Sequence, residues 1–232
     1  MNTLPEAGRG LAGYWPLNEG SGGSAIDWSG NGGNGTWYGV GVGTNGTYYS
    51  AGKTSQWAGA FDGTSTYINA GASAALKPTQ ITIVGWVNLS ASQTATCSPV
   101  SRGNINYGSG YFFTLSPSSV RFYASYGGGG NQYDIISANG TYTGWNFYAA
   151  VASASDVQLY VNGTMLTHKG SRSGLLGYAS GDTATVIGGA LSSAPTLSNG
   201  TWQPCLGSIN DVRVYGRALS ANEIQEIYNA EK

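Results

Sequence analysis

Hydrophobic and polar residues alternate with period two in the clearest stretches of the chain, the pattern of half-buried β-strands. From Trp145 the sequence reads Trp-Asn-Phe-Tyr-Ala-Ala-Val-Ala, which puts Trp145, Phe147, Ala149 and Val151 on one face and Asn146 and Tyr148 on the other. After a short break, Val157, Leu159 and Val161 continue the apolar row, opposed by Gln158 and Tyr160. Asn162-Gly163 tolerates both left-handed positions of a type I′ turn, so the chain is expected to reverse there. One helix is predicted, over Ala221–Ala230, with Ser220 as its N-cap and Glu223 completing a capping box.

Composition agrees with an all-β sandwich in one domain. The chain has 232 residues, 41% of them hydrophobic, and its 38 glycines and 16 tyrosines suit many turns and pleated strands. Only 9% of residues are charged, against about 25% in an ordinary globular domain. Such a surface repels its neighbours weakly, which suits packing in an assembly or contact with neutral polar ligands; compositional bias alone gives the same pattern. The net charge of −1, with no basic block, excludes nucleic-acid binding through phosphate neutralisation. No apolar run approaches the roughly 20 residues that cross a bilayer, so no membrane insertion is expected. The first ten residues have neither a basic nor an apolar signal region and do not read as a secretory signal peptide.

Cys97 and Cys205 either staple the two sheets or remain free buried thiols; two cysteines in 232 residues do not make a disulfide-rich scaffold and have no metal spacing, and two free thiols are expected. His168, the single histidine, reads as a polar surface residue. Asn-Gly-Thr recurs at Asn34, Asn45, Asn139, Asn162 and Asn199, more readily explained by turn chemistry than by glycosylation. Gly127–Gly130 reads as a hairpin tip and residues 190–204 as a loop.

The tail Gly207-Ser-Ile-Asn-Asp-Val-Arg-Val-Tyr-Gly-Arg-Ala-Leu-Ser-Ala-Asn-Glu-Ile resembles the closing segment of LamG-like (laminin G-like) domains of the concanavalin A-like jelly-roll superfamily. Gly13-Tyr-Trp-Pro-Leu-Asn-Glu-Gly, Asp27-Trp-Ser-Gly-Asn, Ala60-Phe-Asp-Gly-Thr, Ile81-Thr-Ile-Val-Gly-Trp-Val and the Trp145 block fit the same pattern in order. The resemblance covers residues 11–230. It implies a two-sheet antiparallel jelly roll with one short C-terminal helix, residues 11–232, preceded by an arm at residues 1–10.

Hydrolases of this fold need two carboxylates flanking the scissile bond. Here the glutamates are Glu6, Glu19, Glu223, Glu226 and Glu231, mostly in the arm or the helix, and the Glu-x-Asp-x-x-Glu strand motif is absent. Lyases of the fold use Arg, His and Tyr together, which a lone loop histidine does not suit. The chain is therefore not expected to be an enzyme. The resemblance does imply a structural Ca²⁺ where the first and last strands meet, since such domains often hold one and hard cations take oxygen ligands. Asp62 and Asp211 are the best carboxylates, with Asn18, Glu19, Asp27 and Asn31 as further oxygen donors. Asn210 stands where many relatives have a second Asp. The alternative makes Asp62 a turn residue and pairs Asp211 with Arg213 or Arg217.

Aromatic rings are the candidate ligand contacts. Tyr123, Tyr148 and Tyr160 lie opposite the apolar rows and form either an outer-face patch or ordinary sheet packing. Trp37, Trp57 and Trp202 fall in loop-like stretches and suit a binding rim, whereas Trp15, Trp28, Trp86 and Trp145 read as core or core edge. Two functions fit. The first is a non-catalytic structural surface protein, a virion capsid decoration or tail component working through protein partners or as a homo-oligomer. The second is a secreted carbohydrate-binding or adhesion module with glycan partners. Both place the chain on a virion or extracellular surface.

Overall fold

The computed structural model describes residues 8–103, 109–126, 133–170, 174–179, 184–191 and 201–232, without the side chains of Tyr133, Leu191, Thr201 and Trp202. The Gly127–Gly130 tip, Asn199 and most of the N-terminal arm lie outside these residues. In chain order the strands are β1 (Leu11–Trp15), β2 (Ser24–Ala25), β3 (Gly35–Tyr38), β4 (Tyr49–Ala51), β5 (Trp57–Asp62) and β6 (Tyr67–Asn69). They continue as β7 (Ile81–Leu89), β8 (Cys97–Arg102), β9 (Tyr111–Ser116), β10 (Ser119–Ser125), β11 (Tyr133–Asn139) and β12 (Gly144–Ala152). The last are β13 (Asp156–Val161), β14 (Thr164–Gly170), β15 (Thr185–Ile187), β16 (Ala190–Leu191), β17 (Thr201–Trp202) and β18 (Leu206–Tyr215), followed by helix α1 (Ala221–Glu231).

Two antiparallel sheets stack face to face. The first runs β14-β13-β12-β7-β18-β5-β4, with β1 also paired to β18, and the second runs β11-β10-β9-β8-β15-β6-β3-β2. Their facing sides meet in a core that includes Trp15, Tyr49, Phe61, Ile68, Val87, Phe113, Phe122, Leu159 and Ile209. This is the jelly-roll sandwich expected from the tail and the alternating strands.

The Asn162-Gly163 hairpin forms as predicted, with φ of 51° and 77°. The Asn162 carboxamide pins it, accepting from the Phe147 backbone N–H at 2.9 Å and donating to Asn146 Oδ1 at 3.0 Å. The facing of these strands differs from the prediction. Tyr148 pairs with Val161, Ala150 with Leu159 and Ala152 with Val157, so Tyr148, Ala150 and Ala152 join the inter-sheet core. Phe147, Ala149 and Val151 point outward, into a second apolar cluster with Val84, Trp86, Tyr160, Ile224 and Ile227. Helix α1 seals that cluster. Both faces of β12 are buried, so either row of the alternation could have been the inner one.

Ser220 caps α1: its hydroxyl accepts from the Glu223 N–H at 3.3 Å, while the Glu223 carboxylate accepts from the Ser220 N–H at 2.8 Å. Ile224 and Ile227 form the buried side of the helix.

Cys97 and Cys205 are disulfide-bonded, with Cα atoms 4.7 Å apart, which corrects the expectation of free thiols. Backbone pairing brings them together: Ser98 N–H donates to Gln203 O at 2.9 Å and Cys205 N–H to Gly188 O at 3.0 Å. That approach joins segments far apart in sequence. His168 sits exposed on β14, its Nδ1 3.5 Å from Asp156 Oδ1. Arg9 and Gly10 are tied to the end of β18, since Arg217 Nε donates to Arg9 O at 2.8 Å and Gly216 N–H to Gly10 O at 2.7 Å. Among the described residues no helix is long and apolar enough to cross a membrane.

Candidate functional site

Strand β1 lies along β18 with Tyr14 opposite Arg213 and Trp15 opposite Val212. The pairing of β18 with β7 breaks between Asn210 and Arg213, and Asp211 there takes a positive φ of 53°. Asn210 is fully buried and holds the bulge from both sides of its carboxamide. Its Nδ2 donates to Pro16 O at 2.5 Å, and its Oδ1 accepts from the N–H groups of Lys53 at 3.0 Å and Thr54 at 3.1 Å. An aspartate here would set a carboxylate against the Pro16 carbonyl and lose the donor. That accounts for Asn at this position.

Asp211 accepts from the Tyr14 hydroxyl at 2.6 Å and from Arg213 Nη2 at 3.2 Å, with the Thr54 hydroxyl also against it. Arg213 continues to Glu231 at the end of α1, and Glu231 accepts from Trp86 Nε1 at 2.9 Å. The Arg213 guanidinium lies 4.5 Å from the Tyr14 ring centroid. Burial alone would lower the Arg213 pKa, but the charges of Glu231, Tyr14 and Asp211 around it hold it above its ordinary value. Burial pushes the Tyr14 phenol up to about 12, with Arg213 opposing and Asp211 adding to the rise.

The turn after β2 is built on the same strand. Asp27 accepts from the N–H groups of Tyr14 at 2.9 Å, Ser29 at 2.9 Å and Gly33 at 2.8 Å. Its own N–H donates to Asn34 Oδ1 at 2.8 Å. Asn31 Nδ2 reaches Leu11 O at 2.9 Å and Ala12 O at 3.2 Å, and Trp28 N–H donates to Tyr14 O at 2.7 Å. This polar frame leaves the Trp28 side chain in solvent: the residue is 59% exposed, its ring 6.2 Å from that of Tyr14 and inclined to it by 74°. Trp28 was expected in the core. Asp27 and Asn31 instead use the whole turn to anchor backbone, and the indole between them projects outward beside Tyr14.

The six proposed calcium ligands do not converge. Asp62 is a turn residue whose carboxylate accepts from the N–H groups of Thr64, Ser65 and Thr66 and from the Thr64 and Ser65 hydroxyls. Burial would raise its pKa, but those donors hold it well below the usual carboxylate range. Asp27 and Asp211 contact opposite ends of Tyr14, its N–H and its hydroxyl. Glu19 accepts from Ile26 N–H at 2.7 Å and lies beside Tyr49, whose phenol is raised by burial and then by the Glu19 charge. Asn18 is half-buried and Asn31 donates rather than accepts. The carboxylates of Asp27, Asp62 and Asp211 already face N–H or O–H hydrogens, whereas Glu19 Oε2 is buried without a hydrogen-bond partner, and no group of three or more His, Cys, Asp or Glu side chains that could hold a metal occurs among the described residues.

The aromatic candidates are also distributed otherwise than expected. Tyr148 and Tyr160 are buried in the first sheet, with their hydroxyls on Tyr142 O at 3.3 Å and Gln158 Oε1 at 2.6 Å. Tyr123 is half-buried in the second sheet, so the three do not share a patch. Trp37 is buried rather than at a rim, stacked on Tyr48 at 4.9 Å, because its strand turns it inward opposite Ile68. Trp57 is half-buried against the core. The Trp202 side chain lies outside the described residues. Trp15 and Trp86 are buried, as predicted, and Trp145 packs at the edge of the helix cluster.

A fold of this kind defines a class. The family model for the concanavalin A-like lectin/glucanases superfamily, of laminin G type, matches residues 62–225, and the chain belongs to that family. Among curated proteins no sequence matches. Several solved structures are similar. The carbohydrate-binding module CBM40 of Ruminococcus gnavus IT-sialidase, bound to α2,3-sialyllactose, has a TM-score of 0.56 at 20% identity, covering 66% of this chain and 84% of its own. Domain 4 of AbnA, an extracellular arabinanase of Geobacillus stearothermophilus in complex with arabinotriose, has a TM-score of 0.65 at 18% identity, covering 94% of this chain and 98% of its own. The binding domain of botulinum neurotoxin serotype D has a TM-score of 0.65 at 13% identity and covers 97% of this chain, which spans 52% of that domain's length.

Proposed function

We propose that this chain is a non-catalytic carbohydrate-binding module whose contact surface is centred on Trp28. The observation that carries the reading is an exposed indole on a turn already fixed by the Asp27 and Asn31 hydrogen bonds. A rigid, solvent-facing ring offers a flat apolar surface to the C–H face of a sugar, and little ordering entropy is lost when it is used. Two of the structurally similar proteins hold sugars, sialyllactose and arabinotriose, which supports glycans as the partner class. The Cys97–Cys205 disulfide supports an oxidising, extracellular setting.

A non-catalytic role is supported by the state of six of the carboxylates. Asp27 and Asp62 are committed to N–H donors, while Asp134, Asp211, Glu223 and Glu231 pair with Lys169, Arg213, Arg217 and Arg213. A second reading, a component of an assembly such as a virion, is favoured by the exposed apolar group Tyr38, Val40 and Val42 and by the low charge.

Isothermal titration of the full chain and of Trp28→Ala against a panel of oligosaccharides separates these readings. The expected result is binding that weakens by about 2 kcal/mol, roughly thirtyfold, with an unchanged melting temperature. Equal affinity in the variant would remove Trp28 from the site. No glycan binding, together with sedimentation as an oligomer, would replace this reading with the assembly.

A further inference from the structure

The outward side of the first sheet carries a second feature, at the end away from α1. Tyr49, Phe61 and Ile209 point into the core, so their neighbours Ser50, Ala60 and Ser208 point outward. At these positions three adjacent strands present small side chains. Ala60 and Ser208 are direct cross-strand partners, and the Ser50 and Ser208 hydroxyl oxygens are 2.9 Å apart. They floor an open cleft of about 420 Å³, with Val42 and Leu206 as apolar walls and Asp62 at one end. That volume is in the range of small-molecule sites, about 300–1,000 Å³.

The lining chemistry selects among ligands. One hydroxyl hydrogen of the serine pair is used between the two oxygens, which leaves the other hydrogen and the remaining lone pairs to face a ligand. Two adjacent hydroxyls of a sugar ring supply the complementary acceptor and donors. Val42 is 46% exposed and offers an apolar surface. Asp62 is the one ionisable residue of the lining, and its oxygens are occupied by its own turn. It therefore contributes negative charge rather than a hydrogen bond, and an acidic ligand is repelled.

We propose that this cleft binds one ring of a neutral sugar, with the Ser50–Ser208 pair on adjacent hydroxyls, Val42 and Leu206 against the C–H faces, and Asp62 excluding acidic sugars. The ligand class rests on the carbohydrate-binding reading, but the site does not depend on Trp28.

The test is an NMR titration of the full chain with glucose, galactose and arabinose, and separately with N-acetylneuraminic acid, each at tens of millimolar. The methyl groups of Val42, Ala60 and Leu206 report on the cleft, and the Trp28 indole N–H reports on the other surface. Saturable methyl shifts are expected with at least one neutral sugar, with roughly tenfold weaker response to the acidic one. Ser208→Ala should weaken the binding roughly tenfold, and Ala60→Phe, which fills the cleft from its floor, should abolish it. Shifts at Trp28 with none at the cleft methyls would overturn this proposal while leaving the Trp28 reading intact; the opposite pattern would do the reverse. Equal response to the acidic sugar, or binding that survives Ala60→Phe, would also overturn it.

Discussion

One continuous sheet carries two unlike halves on its outer side. Beneath α1, Val84, Trp86, Phe147, Ala149 and Tyr160 project outward and are buried as completely as the inter-sheet core. Towards the β4 edge of the sheet the outward positions pass to Asn88, Ser208, Ala60 and Ser50, of which Ala60 is buried and the other three are half-buried beside an open cleft. Backbone pairing is uninterrupted between β18 and β5 and between β12 and β7. The β18–β7 ladder between them does break, between Asn210 and Arg213, and side-chain size differs on the two halves. Large apolar groups recruit a helix to cover them, while small hydroxylic ones are left to water or to a ligand.

The contrast can be broken most severely from the covered side. Phe147→Ala leaves a void between Trp86 and Tyr228, whose rings lie 5.6 Å and 5.7 Å from it. The expected loss is about 4 kcal/mol, a fall in melting temperature of roughly 8–16 °C by calorimetry. A loss as small as that of a surface substitution would mean that α1 does not seal this half.

A smaller effect comes from the start of the helix. The Glu223 carboxyl is lowered to about 2, first by the Arg217 hydrogen bond, against a burial contribution that raises it, and with help from the Ser220 N–H. A carboxylate with a depressed folded pKa contributes stability above its unfolded value, about 4.3, and loses it as pH falls toward 2. Glu223→Gln should lower the melting temperature at neutral pH by roughly 2 °C and flatten this part of the acid limb. An unaltered pH profile would show that the pair contributes nothing to the covered half.

The mildest change belongs to the open side. Ser208→Ala should lower stability by about 0.5–1 kcal/mol in urea titrations, since only the part-buried hydrogen bond to Ser50 is lost. A large loss would place Ser208 in the structural framework and erase the distinction between the halves.

How much of this was legible in the sequence follows from how local each feature is. The Asn162-Gly163 reversal and the Ser220–Glu223 cap depend on neighbours within a few residues, and both form as predicted. The facing of β12 was not readable, because Phe147 and Tyr148 are both large and both buried, one on each side. Trp28 was misplaced for a related reason. The groups that fix its turn, Tyr14, Leu11 and Ala12, come from β1, so the outward indole appears only once that strand is in place. Asp27 and Asn31 flanking it were visible, but as oxygen donors rather than as the frame of a turn. The cysteines likewise meet through long-range backbone pairing, of Ser98 with Gln203 and of Cys205 with Gly188.

The Cys97–Cys205 bridge has a mechanical consequence. It closes a covalent ring across a sequence separation of 108 in a chain of 232, nearly half its length. Tension applied at the two ends can draw out only the segments before Cys97 and after Cys205; the ring, which contains β8 to β17, bears no pull along its contour. Stretched in a flowing medium, the oxidised chain would therefore extend about half as far as the reduced one before it became taut.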